Sequence, residues 1–318
     1  HAAQHSYAID VPSGVESDAA VALSPVPSFT HCLSLGAWKP AHVLMPSRGF
    51  ARQKVLVDIG IAPLTGCARA LDRPLIAAPA ADAHKYRRGL VAVLAGAMPG
   101  ASLLAAEAAA RSGAGYVRLI AQADVPGAHS HAIVRSNAFD VDRARALLVG
   151  PGLGRDDAAW ARLETALQAG VPVVADADAL WLLATRGAGG LPPPAIATPH
   201  EGEFTLLFGE GQGNKIERTR AAAAQIGAVV VHKGPDSVIA APDGRCVVAQ
   251  PASSWLSTAG TGDVLAGLCA GRLAVTGDPF KAACEAVWLH GEAARRAGAA
   301  FIADDLIACL PAALASAS

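Results

Sequence analysis

From His84 onward the chain repeats one pattern: a short apolar run, a turn carrying glycine or a polar residue, then a helix-forming stretch. That alternation constrains the fold more than any single motif. Residues 90–95 read as a buried strand, 96–100 as a turn and 101–112 as a helix closed by Gly113. Further strands are expected over 116–120, 146–149, 171–175, 195–198 and 228–232. Helices are expected over 157–169, 218–225, 264–275 and 280–297, and 238–241 with 246–249 read as a hairpin around Pro242-Asp243-Gly244. Strands alternating with helices predict an α/β fold whose mainly parallel sheet is covered on both faces. Ligands of such sheets sit beyond the carboxyl ends of the strands. Gly150, Asp176, His200 and Lys233 all fall there.

The chain ahead of this reads differently. Strand pieces are expected over 6–11, 30–35 and 54–59, in a first part reaching to about Pro63. Residues 64–83, loose and rich in Ala and Pro, read as a linker. The chain opens on His1 without Met and soon reads Tyr7-Ala8-Ile9-Asp10 like an interior strand, so it is expected to be cut from something longer.

Composition narrows the partners. A net charge of −1 gives no basic footprint for nucleic acid. Glu107 and Arg272 interrupt the longest apolar stretches, so no membrane span is expected. Six cysteines without a Cys-x-x-Cys pair, and no signal peptide, predict reduced thiols in a cytoplasmic protein. No His or Cys set has the spacing of a zinc site.

Gly260-Thr261-Gly262-Asp263 precedes a strong helix. Small residues let backbone N–H groups close around an anion, and the helix N-terminus favours negative charge. Asp263 is either a plain helix-start acid or a base taking a proton from a hydroxyl that attacks phosphorus. The glycines favour the base, since a cap does not need them. Gly150-Pro151-Gly152-Leu153-Gly154 and the 96–100 turn are tight turns or ligand contacts, and neither ends in the Gly-Lys-Ser/Thr of a P-loop. His200, between Pro199 and a helix-start Glu, is a candidate substrate contact. Lys233-Gly234-Pro235-Asp236-Ser237 is a plain β-turn or a loop holding a nucleotide through its backbone.

Taken in order, these segments, together with His84-Lys85, Gly113-Ala114-Gly115, Asp176-Ala177-Asp178-Ala179-Leu180 and Thr198 to Glu203, resemble the ADP-dependent NAD(P)H-hydrate dehydratases of the ribokinase-like superfamily. The resemblance runs from about His84 to Pro311. It implies a three-layer α/β/α domain over 67–318 that removes water from the hydrated nicotinamide ring of NADH or NADPH at the expense of ADP. It implies Asp263 as the base, and Ala101, Gly154 and His200 beside the substrate. Lys233, Gly234, Pro235, Asp236, Ser237 and Gly262 would hold the nucleotide, and Gly260, Thr261 and Gly262 the moving phosphate, with Mg2+ bridging the phosphates. It also implies a homotetramer. Residues 1–66 resemble the last part of a Rossmann-like NAD(P)H-hydrate epimerase domain, with Asp10 touching substrate and Ser13 ligating K+. That domain's earlier strands and ion ligands are missing from this chain, so the segment is not expected to be an active epimerase. Two other functions share these features: a kinase of the same superfamily acting on a vitamin-precursor alcohol, and a nucleotide-binding module without catalysis.

Overall fold

The structure is a computed structural model that describes residues 4–62, 64–122, 125 and 130–318. The expected boundary residue Pro63 and the opening His1 lie outside the described residues. Among the described residues there are two sheets. In the smaller, β1 (Tyr7–Ile9), β2 (Phe29–Leu35) and β3 (Ala51–Val57) lie side by side in chain order, all parallel. Helix α1 (Pro40–Val43) and a 3-10 turn over Ser47–Phe50 connect β2 to β3. The third strand starts three residues before its expected position because pairing with β2, from Phe29 opposite Ala51 to Leu35 opposite Val57, sets its register.

The larger sheet has ten strands: β4 (Arg69–Ala70), β5 (Leu90–Leu94), β6 (Tyr116–Ile120), β7 (Ile133–Ser136), β8 (Ala144–Val149), β9 (Val173–Ala175), β10 (Ile196–Ala197), β11 (Val229–His232), β12 (Val238–Ala240) and β13 (Cys246–Val248). Their spatial order is β4-β13-β12-β11-β10-β9-β8-β5-β6-β7. Every pairing is parallel except those of β12 with β11 and with β13, and β12 with β13 is the expected hairpin. The supposed linker is a correction. Arg69 and Ala70 pair with β13, Leu71 and Ile76 are buried, and Ile76 N–H donates to the Ala317 carbonyl at 2.7 Å. An extended segment beside an open strand edge satisfies its backbone by joining the sheet.

Helices cover both faces. On one lie α2 (Pro99–Arg111), α7 (Thr261–Thr276), α8 (Pro279–Ala297) and α9 (Ala303–Ser316). On the other lie α3 (Asp157–Gln168), α4 (Ala177–Arg186), α5 (Glu201–Phe208) and α6 (Lys215–Ile226). Strand residues alternate between the two cores: Val91 and Val93 face the first, Ala92 and Leu94 the second. This is the ribokinase-like three-layer fold. Helices α4 and α9 and strand β7 were not expected. The N-terminal segment is docked on the larger unit, with Leu44 and Ala20 buried in one cluster with Phe204 and Val230.

Candidate active site at the carboxyl edge of the sheet

The ends of β9, β10 and β11 and the start of α7 gather charged groups that are far apart in the chain. Asp176 follows β9 and is 1% exposed. Its Oδ1 accepts from Lys233 Nζ, which follows β11, and from Thr198 Oγ1, which follows β10, both at 2.7 Å. Lys233 Nζ also lies 3.7 Å from Glu203 Oε2. Burial pulls the Lys233 ammonium down, but Asp176, Glu203 and Asp263 outweigh it and hold its pKa above the usual lysine range. Ala177 beside Asp176 has a φ of +46°, a left-handed conformation that costs a residue with a Cβ about 1 kcal/mol. Such strain is characteristic of functional sites.

Helix α7 is entered through Gly260, whose φ of +89° is the left-handed turn only glycine enters freely. Thr261 Oγ1 donates to the Leu256 and Thr258 carbonyls, and His290 Nε2 donates to the Thr261 carbonyl at 2.9 Å. The turn is therefore pinned by its neighbours, and the first N–H groups of the helix have no intrahelical partner. Asp263 is the acid of the helix's first turn, where it also favours the helix dipole. Burial first, and Asp176 second, push its pKa up to about 6 against the pull of Lys233. A Cβ at Gly262 would lie 3.7 Å from Lys233 Nζ, which puts the ammonium against this turn.

A cavity of about 920 Å³ adjoins this cluster. Lys233, Gly234, Pro235 and Ser237 line it on one side, Thr261 and Gly262 at its end, and Trp288, His290 and Gly291 of α8 on another. Gly260 and Asp263 do not line it. Asp236 is not on the wall either: its carboxylate turns away to Lys215 Nζ at 2.7 Å and Met45 N–H at 2.8 Å. A second cavity, about 460 Å³, lies over Gly96, Ala97, Pro99 and Arg162.

The glycines of the 96–100 and 150–154 turns have a packing reason. A Cβ at Gly96 would come within 2.3 Å of Leu153, and one at Gly152 within 2.1 Å of the Met98 carbonyl. The two turns lie backbone against backbone. Gly154 N–H donates to Asp178 Oδ2 at 3.0 Å, and half-buried Ala101 sits in the first turn of α2. His200 is exposed and caps α5, its Nδ1 accepting from Glu203 N–H at 3.2 Å while Glu203 Oε2 accepts from His200 N–H. The capping box thus aims Glu203 toward Lys233.

In the N-terminal segment Asp10 ion-pairs with Lys39 and accepts from Leu35 N–H at 3.0 Å. Ser13 is exposed in a turn after Asp10. No group of three or more metal-ligating side chains occurs among the described residues. No helix among them is long and apolar enough to cross a membrane.

The family model for NAD(P)H-hydrate dehydratase matches residues 91–314, most of the chain. The chain belongs to the NAD(P)H-hydrate dehydratase family. The ADP-dependent (S)-NAD(P)H-hydrate dehydratase of Bacillus subtilis is 36% identical, over 67% of this chain and 83% of that protein. The bifunctional NAD(P)H-hydrate repair enzyme Nnr of Salinibacter ruber is also 36% identical, over 96% of this chain and 65% of the relative. The chain therefore spans less than two thirds of that bifunctional relative's length. Among solved structures, the ADP/ATP-dependent NAD(P)H-hydrate dehydratase from Bacillus subtilis, co-crystallised with ATP and Mg2+, aligns with a TM-score of 0.66 at 29% identity, over 77% of this chain and 95% of that one.

For this dehydratase-family chain, the charged centre was only partly legible. Asp263 and Lys233 were singled out, but Lys233 for a loop and not for the acid it faces. Asp176 was placed at the ligand edge of the sheet without a role, and Glu203 was not singled out. Their signal was position, an acid just after a strand and an acid three residues after a capping histidine. Only the fold shows that both point at one ammonium.

Proposed function

We propose that the chain dehydrates (6S)-NAD(P)H hydrate to NAD(P)H at the expense of ADP, releasing AMP and phosphate. One observation carries this reading. Asp263 is held at the first turn of α7, beside Lys233, with its pKa raised to about 6. A carboxylate so poised is mostly ionised at neutral pH yet basic enough to accept a proton. In the reaction, the ring hydroxyl of the hydrate gives its proton to Asp263 as its oxygen attacks the terminal phosphorus of ADP. The bond from that phosphorus to the AMP oxygen breaks and AMP leaves. The ring nitrogen lone pair then expels phosphate, the neighbouring ring carbon loses a proton to water, and the dihydronicotinamide is restored.

Phosphorylation improves the leaving group. Hydroxide has a conjugate acid near pKa 16 and phosphate one near about 6, a gap worth at most on the order of 13 kcal/mol. The nucleotide would lie in the 920 Å³ cavity, held by Lys233, Gly234, Pro235, Ser237 and Gly262, with Asp236 shaping the loop from behind. The N–H groups around Gly260, Thr261 and Gly262 would face the moving phosphate. Ala101, Gly154 and His200 would border the hydrated ring. Among the described residues no group of three or more acidic, His or Cys side chains gathers to hold Mg2+, which would neutralise phosphate charge when bound with the nucleotide. Residues 1–66 are assigned in this proposal to an epimerase-like remnant and 67–318 to the dehydratase unit, in keeping with the break between sheets after Val57. The cytoplasmic location and homotetramer belong to the same proposal.

The test is incubation with hydrated NADH, ADP and Mg2+. The reduced-nicotinamide absorbance should return. Asp263→Asn should lose at least about 1,000-fold in rate while binding ADP within about twofold of the parent. A parent that binds ADP without turnover, or that accumulates a stable phosphorylated alcohol, overturns the reading.

A further inference from the structure

The wall of the 920 Å³ cavity is not built from the larger unit alone. Met45, Arg48 and Gly49, from the N-terminal segment, line it beside the 233–237 loop. Two hydrogen bonds tie the segment to that loop. Arg48 Nη1 donates to the Pro235 carbonyl at 2.8 Å, and Met45 N–H donates to Asp236 Oδ2 at 2.8 Å. Behind them, buried Leu44 anchors the segment in a core it shares with Phe204 and Val230. The turn that presents Arg48, Ser47–Phe50, is therefore fixed to the loop it faces, and the arginine is not a stray surface side chain.

The charges on that wall differ in how they are balanced. Three cations line the cavity: Arg48, Lys233 and Arg295. Lys233 is paired with Asp176. Arg295 is paired with Glu292, with two contacts of 2.6 and 2.7 Å. Arg48 makes no ion pair among the described residues, although it is only partly exposed; the acid near it, Asp236, is already held by Lys215. Its guanidinium carries up to five donors, and one goes to Pro235. Among the described residues, Arg48 is thus the one lysine or arginine of the cavity wall without an ion pair, and it is held in place at the 233–237 loop. Arginine's fixed fork suits phosphate oxygens.

We propose that the N-terminal segment completes the nucleotide site, and that Arg48 is a specificity-determining residue that reads the phosphates of the nucleoside diphosphate. The proposal rests on the reading that this cavity takes ADP. It gives the N-terminal segment a role independent of any epimerase chemistry: to supply a charge and hold a loop that the larger unit does not supply by itself.

Titration calorimetry of the 318-residue chain with ADP and with adenosine tests it. Arg48→Ala should weaken ADP about tenfold or more and leave adenosine within about twofold, and KM for ADP should rise by the same factor. Arg48→Lys, which keeps the charge and the stem but not the fork, should bind ADP between the alanine variant and the parent with adenosine unchanged, and serves if the alanine variant folds poorly. ADP binding by Arg48→Ala equal to the parent's overturns the proposal. So does an equal loss for ADP and adenosine, which would make Arg48 only a prop for the loop. A parent chain that binds no ADP at all sinks the functional reading itself, which the other two outcomes leave standing.

Discussion

At the scale of the residue, Asp263 and Lys233 work against each other. Burial and Asp176 raise the Asp263 carboxyl, and the Lys233 ammonium holds it down near about 6. Removing the ammonium leaves the raising influences unopposed. Lys233→Met is therefore expected to move the acidic limb of the pH profile of kcat/KM upward by about one unit, besides slowing the reaction. A slower enzyme with an unmoved limb would mean that Lys233 serves the nucleotide alone. This residue also shows where reading the sequence stopped. Lys233 after an apolar strand was visible as a site residue. Its partners Asp176, Glu203 and Asp263 lie 57, 30 and 30 positions away in the chain, and no local pattern joins them.

At the scale of the element, α7 carries the site because it packs so closely on α2. Gly267 and Gly271 face α2, and a Cβ on Gly267 would stand 2.1 Å from the Ala105 carbonyl. Helix propensity alone makes Gly→Ala favourable by about 1 kcal/mol. Here the clash is with backbone, which cannot rotate aside. Gly267→Ala should thus destabilise the protein by about 2 kcal/mol or more, read from denaturant unfolding. A stabilised variant would show that the helices sit farther apart than described. The helical faces themselves were legible: long apolar stretches closed by Gly113, Gly170 or Gly277 reach close to their expected ends. Helix α4 was not, because Asp176-Ala177-Asp178 reads as the polar end of a strand. Strand β4 was not, because two residues carry no period and become a strand only when β13 lies alongside.

At the scale of the whole molecule, buried ionisable groups set the response to acid. His290 is pushed down to about 4, first by burial and then by Lys233, against its bond to the Thr261 carbonyl. His232, fully buried and stacked on Phe204 at 4.0 Å, lies well below the usual histidine range, through burial first and Lys215 next. A histidine lowered on folding gives stability that is whole above pH 6.5 and fades as pH falls toward 4, since the unfolded chain takes up the proton first. Asp263, raised from 3.8 to about 6, has the opposite sign and makes the fold more stable as pH falls through that window. The His290 and Asp263 contributions are each on the order of 3 kcal/mol and largely cancel. His232, together with His42, whose pKa burial also lowers, then sets the net direction. The melting temperature should fall between pH 6.5 and 4, and the fall should be shallower in His232→Asn. A parent melting temperature that rises over this range contradicts the balance.

By itself the sequence determined the class of fold, the direction of the sheet and the place of the chemistry. Those follow from local rules: apolar runs bury on both sides of a parallel sheet, glycines permit turns that other residues resist, and polar groups after strands collect at one edge. Tertiary structure decided which groups meet there. It set Asp176, Glu203, Lys233 and Asp263 around one another, turned Asp236 away from the cavity, made a short strand of Arg69 and Ala70 in the supposed linker and brought Arg48 of the N-terminal segment to the cavity wall. The physical reason is the same in each case. A charge or an unpaired backbone group buried by folding must find a partner, and the partner is chosen by proximity in space, which chain order does not record.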